Sequence, residues 1–196
     1  MPNIILDSVR GLQPVPIDDM FLKDRKIFLV GEVNDASCND LIKQLLYMEA
    51  EDNTLPITLF INSPGGQVGS GLAVYDTIMM MEAPVRTVCI GTCASMGAIL
   101  FLAGERRQMM RHGKIMIHDP AFGGRHEMGG KKPHEIQAEL DDLNRCREAL
   151  AVIISERTGK SMDEIYEVTA NDTYYNADEA VAFGLANEII TKKGGC

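Results

Sequence analysis

Tryptophan is absent from this 196-residue chain, and aromatic residues of all kinds make up only 6% of it. Packing and contact surfaces must therefore be built from other apolar side chains, and the twelve methionines supply adaptable ones. Basic charge is scarce: 19 Lys and Arg stand against 28 Asp and Glu, a formal net charge of −9. No basic stripe appears, which excludes a nucleic-acid surface and favours solubility. Long apolar runs are missing too. The most apolar stretch, residues 96–103, is too short to span a bilayer and is closely flanked by Arg86, Glu105, Arg106 and Arg107. There is no Cys-x-x-Cys pair. Cys38, Cys89, Cys93, Cys146 and Cys196 form an odd set, and Cys89 and Cys93 have no His or Cys cluster near them to complete a zinc site. Nothing in residues 1–19 resembles a targeting segment, so the expectation is a reducing, cytoplasmic compartment with buried thiols and no bound metal. Repeats are absent, as is a G-x-x-x-x-G-K-[ST] loop.

What the chain does have is β–α alternation. Residues 1–19, with Pro2, Pro14 and Pro16, read as an extended arm. A strand over 26–30 ends at Gly31, and Asn34 or Asp35 caps a helix to about Glu51 with Leu41, Ile42, Leu45, Leu46 and Met48 on its apolar face. A second strand, 57–61, leads into Asn62-Ser63-Pro64-Gly65-Gly66, then a helix from about Val68 to Met81. A third, 85–90, is broken by Gly91 and followed by a small-residue turn, 92–95, and a helix over 96–103. Ile115-Met116-Ile117 is a strand ending in His118. Residues 121–132 are Gly-rich and read as a loop or hairpin. A long helix runs from Pro133 to about Arg157, with Ile136, Leu140, Leu143, Cys146, Leu150 and Ile154 at helical spacing. Ser161 with Glu164 makes a capping box. Residues 171–175 read as strand or turn, Asn176 caps a helix over 177–183, and a last strand covers 187–191. This order implies an α/β fold with parallel strands and right-handed crossovers, whose sites gather at one sheet edge.

Two turns lie at that edge. Paired glycines at 65 and 66 allow positive φ and close backbone approach. Ser95 stands where a strand hands over to a helix, beside N–H groups that lack intrahelical partners. A serine there can attack a carbonyl while neighbouring amides face the oxyanion, and a strand-end histidine, with an ordinary pKa of about 6.5, can serve as base. The same serine also reads as a plain N-cap, and Asp172 alone reads as a surface turn residue. His112, His126 and His134 read as surface residues, Cys93 as a small packing residue, and Met79-Met80-Met81 as core or subunit contact.

The motifs INSPGG (61–66), GTCASMGA (91–98) and MIHDP (116–120), with KDRKIFLVGEV (23–33), TGKSMDEI (158–165) and NADEAVAFGLANEI (176–189), closely resemble the proteolytic subunits of the Clp protease family, ClpP, from about Asp24 to Ile190. The resemblance implies a crotonase-like spiral of β–β–α units in a single domain, 1–196, with an N-terminal axial arm (1–19), a projecting strand and long-helix handle (about 120–158) and a short tail (192–196). It implies a serine-type endopeptidase with Ser95 as nucleophile, His118 as base, Asp172 as orienting acid, and the amides of Gly66 and Met96 as oxyanion hole. Substrate would pair as an added strand with the segments holding Gly65, Gln67 and Val68 and holding Pro120, Ala121 and Phe122. Stacked heptameric rings would enclose the sites, and a hexameric AAA+ unfoldase of ClpX, ClpA or ClpC type would unfold and thread protein substrates. This chain itself would bind no cofactor, ATP being used by the partner.

Departures from the family pattern are specific. The segment between Ser95 and His118 is shorter than usual, and the hairpin between Arg125 and Pro133 is longer. Asp119 stands where Gln is common, which suggests a carboxylate that raises the basicity of His118. Asn171 replaces an arginine that helps pair rings, and residues 11–18 differ in the axial region. These changes suggest a divergent second isoform, weakly active or structural by itself and working in mixed rings with a sister subunit. Rival readings are a crotonase-like acyl-CoA hydratase or thioesterase, which also uses two amides as an oxyanion hole, and a non-catalytic ring subunit.

Overall fold

A computed structural model describes residues 2–8, 11–123 and 130–191. The centre of the expected handle loop, residues 124–129, and the tail 192–196 with Cys196 lie outside the described residues. The N-terminal segment, read as an extended arm, is instead a hairpin of β1 (Asn3–Ser8) and β2 (Gly11–Pro16), paired antiparallel from Asn3↔Pro16 to Ser8↔Gly11. Its two strands leave Ile5 and Leu12 exposed. Pro14 and Pro16 lack an N–H, and a strand with no further neighbour tolerates that loss.

A short helix, α1 (Ile17–Lys23), leads to β3 (Lys26–Val30), α2 (Asp35–Glu51), β4 (Ile57–Ser63), α3 (Val68–Met80), β5 (Val85–Ala94) and α4 (Met96–Leu102). The chain continues through β6 (Arg106–Met110), β7 (Lys114–Ile117), α5 (Pro133–Thr158), α6 (Met162–Thr169), β8 (Thr173–Tyr175), α7 (Ala177–Phe183) and β9 (Glu188–Ile190). The sheet is mainly parallel in the order β3-β4-β5-β6-β9, with β7 parallel to the far end of β5 and β8 antiparallel to β7. This mixed α/β architecture with a mainly parallel sheet agrees with the expected α/β class. Parallel strands at the centre are covered on both faces, so β4 is mostly apolar and buried, and the first half of β5 is buried except at Arg86. On β3 the pattern alternates, with Ile27 and Leu29 buried while Phe28 and Val30 are exposed.

Local chemistry sets the helix limits. Asn34 Oδ1 accepts from Ser37 N–H at 3.0 Å, and Ser37 Oγ accepts from Asn34 N–H at 3.1 Å. Reciprocal boxes at Ser161/Glu164 and Asn176/Glu179 start α6 and α7. Helix α2 buries Cys38, Leu41, Leu45 and Met48, while Leu46, expected on that face, is half-exposed. Only the C-terminal part of α5 buries side chains, Leu150, Ala151 and Ile154. Of the apolar positions in its first half, Ile136, Leu143 and Cys146 are part-buried and Leu140 is exposed. Cys38, Cys89 and Cys93 are buried as expected, whereas Cys146 on α5 is only part-buried.

The sequence pattern and the structure part company at β5 and β6. Gly91 does not end the third strand: β5 runs on to Ala94. The register slips from Ile61↔Cys89 to Ser63↔Cys93, so β5 carries extra residues at this point. Asn62 fills the bulge. Its Oδ1 accepts from Thr92 N–H at 3.0 Å and lies 2.5 Å from where a Cβ on residue 91 would fall, so a side chain there would have to displace the Asn62 amide. Before the bulge β5 pairs with β6, and beyond it with β7. Strand β6, with its sequence RRQMM, has no alternating signature and was not expected. It forms because Arg107 and Gln108 are buried with partners from elsewhere: the Arg107 guanidinium donates to the carbonyls of Leu185, Arg157 and Gly184, and Gln108 to Glu188.

Arg25 ties the start of the sheet to α2. Its backbone has positive φ (57°) and its side chain is buried. The guanidinium donates to the carbonyls of Met48 (2.9 Å), Asp52 (2.8 Å) and Leu55 (3.0 Å), closing the end of the helix and the loop beyond. Replacing Arg25 with Ala removes the guanidinium from the carbonyls of Asp52 and Leu55 and leaves Met48 only the Asp52 N–H. The expected cost is about 3 kcal/mol or more, seen as a lower urea midpoint for the variant.

Candidate active site

The backbone of Ser95 is the most constrained feature of the sheet edge. It has φ 52° and ψ −124°, a region where a non-glycine residue is strained and stays only if its surroundings hold it. They do so from several sides. Ser95 N–H donates to the Met116 carbonyl on β7 at 2.9 Å, and the Ser95 carbonyl accepts from Ala98 and Ile99 N–H to start α4. The Gly65-Gly66 turn packs against the same residue. A Cβ on Gly65 would fall 2.6 Å from Ser95 Cβ and 2.7 Å from the Ala94 carbonyl oxygen, and Gly65 has φ 94°. A Cβ on Gly66 would fall 2.1 Å from the Val33 carbonyl oxygen. Both glycines are therefore required by contact as well as by φ.

Strand β7 delivers His118, and the turn before β8 delivers Asp172. The last pairs of their ladder are Met116↔Tyr174 and Ile117↔Thr173, so residues 118 and 172 face each other one step further on. His118 Nε2 lies 2.9 Å from Ser95 Oγ, and His118 Nδ1 lies 3.2 Å from Asp172 Oδ1. Hydroxyl, imidazole and carboxylate thus form one relay, with the His118 and Asp172 side chains 28% and 58% exposed. Chemically, such a relay can draw the proton from a hydroxyl while the carboxylate holds the ring.

The amides beside Ser95 divide into used and unused. Gly65 N–H donates to Ser63 Oγ, Gln67 N–H to the Val33 carbonyl, and Val33 N–H to the Gly65 carbonyl. Gly66 N–H between them, and Met96 N–H at the start of α4, have no hydrogen-bond partner among the described residues. These are the two amides expected to face an oxyanion.

The expected substrate-contacting residues separate into groups. Val68 and Pro120 line a small apolar pocket that opens on Ser95 and His118, and Gly65 touches Ser95. Gln67 is occupied: its N–H and carbonyl both pair within the chain, and its Oε1 accepts from Ser70 Oγ. Ala121 and Phe122 do not line the Ser95 pocket. They border an outer groove against Ala138, Leu143 and Cys146 of α5. The rest of the Ser95 pocket comes from Met96, Ile99, Ile117, Leu150 and Ile154. Ile99, Leu150 and Ile154 were legible only as apolar helix positions, because nothing in a helical period tells a pocket wall from core.

Two other expectations are settled by geometry. Cys93 is fully buried, with Sγ donating weakly to the Ile61 carbonyl at 3.9 Å, and burial pushes its thiol pKa well up. It packs and is not available as a second nucleophile. The Asp119 carboxylate, expected to raise the basicity of His118, is turned instead toward Thr169 and Arg147. Among the described residues no cluster of three or more His, Cys, Asp or Glu could hold a metal ion, and no helix is long and apolar enough to cross a membrane.

Fold and relay together define a hydrolase-like site at the edge of a parallel sheet. The family model of the Clp protease matches residues 10–193, and the chain belongs to that family. It is a ClpP-type peptidase.

The contact between the two turns yields a direct test. Gly65→Ala inserts a methyl group where Ser95 Cβ and the Ala94 carbonyl already stand. The variant is expected to lose covalent labelling of Ser95 by a fluorophosphonate by about a hundredfold or more, since displacements near 1 Å cost that much, with the far-ultraviolet circular dichroism unchanged.

Proposed function

We propose that the chain is a serine endopeptidase subunit of a self-compartmentalised protease. The observation that carries this reading is the hydroxyl–imidazole–carboxylate relay at 2.9 Å and 3.2 Å, set beside two unpaired amides. Ser95 Oγ attacks the scissile carbonyl as its proton passes to His118 Nε2. The oxygen of the tetrahedral intermediate is received by Gly66 and Met96 N–H, each such donor typically being worth about 3 kcal/mol. His118 then returns the proton to the leaving amine, which frees an acyl-enzyme. Water repeats the sequence and releases Ser95. Asp172 keeps the proton of the neutral ring on Nδ1, so that Nε2 is the basic atom, and stabilises the imidazolium.

Apolar walls from Val68, Met96, Ile99, Ile117, Leu150 and Ile154 favour an aliphatic side chain next to the cleaved bond and disfavour a charged one. Substrate bound as an extended strand, weakly selective for sequence, is the family's arrangement. Assembly into stacked rings, with a hexameric ATPase feeding unfolded protein, is the family's arrangement. It is supported here by apolar side chains left uncovered in the single chain, among them Phe28, Val30, Met79 and Met80 and, on α5, Leu140 and Val152.

Ser95→Ala is expected to abolish hydrolysis of a short fluorogenic peptide and labelling by a fluorophosphonate, with the native mass of the particle unchanged. Asp172 is more than half exposed, so Asp172→Asn is expected to lower kcat by about a hundredfold rather than more. Peptide hydrolysis retained in Ser95→Ala particles overturns the assignment of Ser95 as nucleophile, whereas absence of labelling in the unmodified chain favours an acyl-CoA-type chemistry that uses the two amides alone.

A further inference from the structure

The ladder between β7 and β8 stops at Ile117↔Thr173. His118 and Asp172 lie just past its end, where no further sheet hydrogen bond holds them together. One residue along, Asp119 makes a two-point contact with the end of α6. Its N–H donates to the Thr169 carbonyl at 2.7 Å, and its Oδ1 accepts from Thr169 Oγ1 at 2.7 Å. The single Thr169 hydroxyl proton also has the Ile165 carbonyl within reach at 2.9 Å, and the residue is buried. Thr169 precedes Asp172 by three residues, and the turn between is closed by Thr173 Oγ1 donating to the Val168 carbonyl at 2.6 Å.

The other carboxylate oxygen faces α5. Arg147 Nε stands 2.7 Å from Asp119 Oδ2. Its N–H is not aligned on an acceptor, so the contact is an ion pair rather than a directed hydrogen bond. The guanidinium lies over the Tyr166 ring of α6, 4.5 Å from its centre. With Asp119 and Arg147 side chains only 29% and 38% exposed, this pair is better shielded than an ordinary surface ion pair. One side chain therefore touches the strand end that carries His118, the helix that leads to Asp172, and the long helix α5.

We propose that Asp119 is a positioning residue: its clasp on Thr169 fixes the separation of His118 and Asp172, and its pairing with Arg147 holds the Asp119 carboxylate in that clasp. The inference rests on the peptidase reading above. Asp119 acts through the ring's neighbours and not on the ring.

The test uses the full chain in its assembled state and a short fluorogenic peptide. In Asp119→Ala, kcat is expected to fall by about ten- to a hundredfold, with KM changed by less than about twofold, as for a group that affects only the chemical step. Thr169→Val is expected to behave in the same way and Thr169→Ser to lose less. Asp119→Asn keeps an acceptor for Thr169 but drops the charge toward Arg147, and is expected to match Arg147→Gln. In a crystal structure of Asp119→Ala, the gap from His118 Nδ1 to Asp172 is expected to open beyond about 3.5 Å. Wild-type kcat in both Asp119→Ala and Thr169→Val, or an unchanged gap in that crystal structure, overturns the proposal. Failure of the unmodified protein to label at Ser95 would strike the peptidase reading instead, and the crystallographic arm would still judge the clasp.

Discussion

Backbone contact between the Ser95 turn and its two neighbouring strand ends is the constraint on which the site depends. The serine has a conformation that costs free energy, and no single bond secures it. The Met116 carbonyl takes its N–H, α4 begins on its carbonyl, and the Gly65-Gly66 turn closes the remaining side. The bulge at Asn62 and Gly91 makes this meeting possible. It allows β5 to leave β6 and pair with β7, so that the strand bearing the serine and the strand bearing the histidine become neighbours only at the edge where both residues are needed.

Away from the site, the body of the molecule is fastened by arginines that bind carbonyls rather than carboxylates. Arg25 closes the end of α2. Arg107 and Arg157 sit among the C-terminal ends of α4, α5 and α7, Arg157 donating to Leu102 and Gly104 and Arg107 to Arg157, Gly184 and Leu185. Helix C-termini carry unpaired carbonyls and partial negative charge, so a cation there meets both needs. Burial and the neighbouring Arg157 charge lower the Arg107 pKa, but the guanidinium remains far above the range in which it would lose its proton. The arrangement leaves the carboxylates free for surface and site. Of those near the relay, Asp172 meets the imidazole, while Asp119 is engaged by Thr169 and Arg147.

Most helices were legible because their signals are local. Asn34, Ser161 and Asn176 cap as their spacing to Ser37, Glu164 and Glu179 requires, and Gly159 and Gly184 end α5 and α7 in the left-handed conformation. Strands β3, β4 and β7 were legible from short apolar runs between breakers. Strand β6 was not, since Arg107 and Gln108 are stabilised by groups some eighty positions away. The pairing of residues 3–8 with 11–16 was missed for a related reason: it buries little, so its sequence carries no periodicity. At the site, Ser95, His118 and the two glycines stood out by their place at strand ends, whereas Asp172 was set apart from any turn acid only by the family resemblance, and its ladder with β7 accounts for its place beside His118.

The order of most strands, turns and helices, and the residue types at 65, 66, 95, 118 and 172, were determined by the sequence itself, because caps, breakers and hydrophobic period act over a few residues. What only the tertiary structure decided is how those residues meet. The slipped register at Asn62, the crossing of β5 from one neighbour to another, and the turning of Asp119 away from His118 toward Arg147 all depend on groups distant in the chain. Their geometry is set by packing and hydrogen-bond satisfaction across the sheet, which no local pattern encodes.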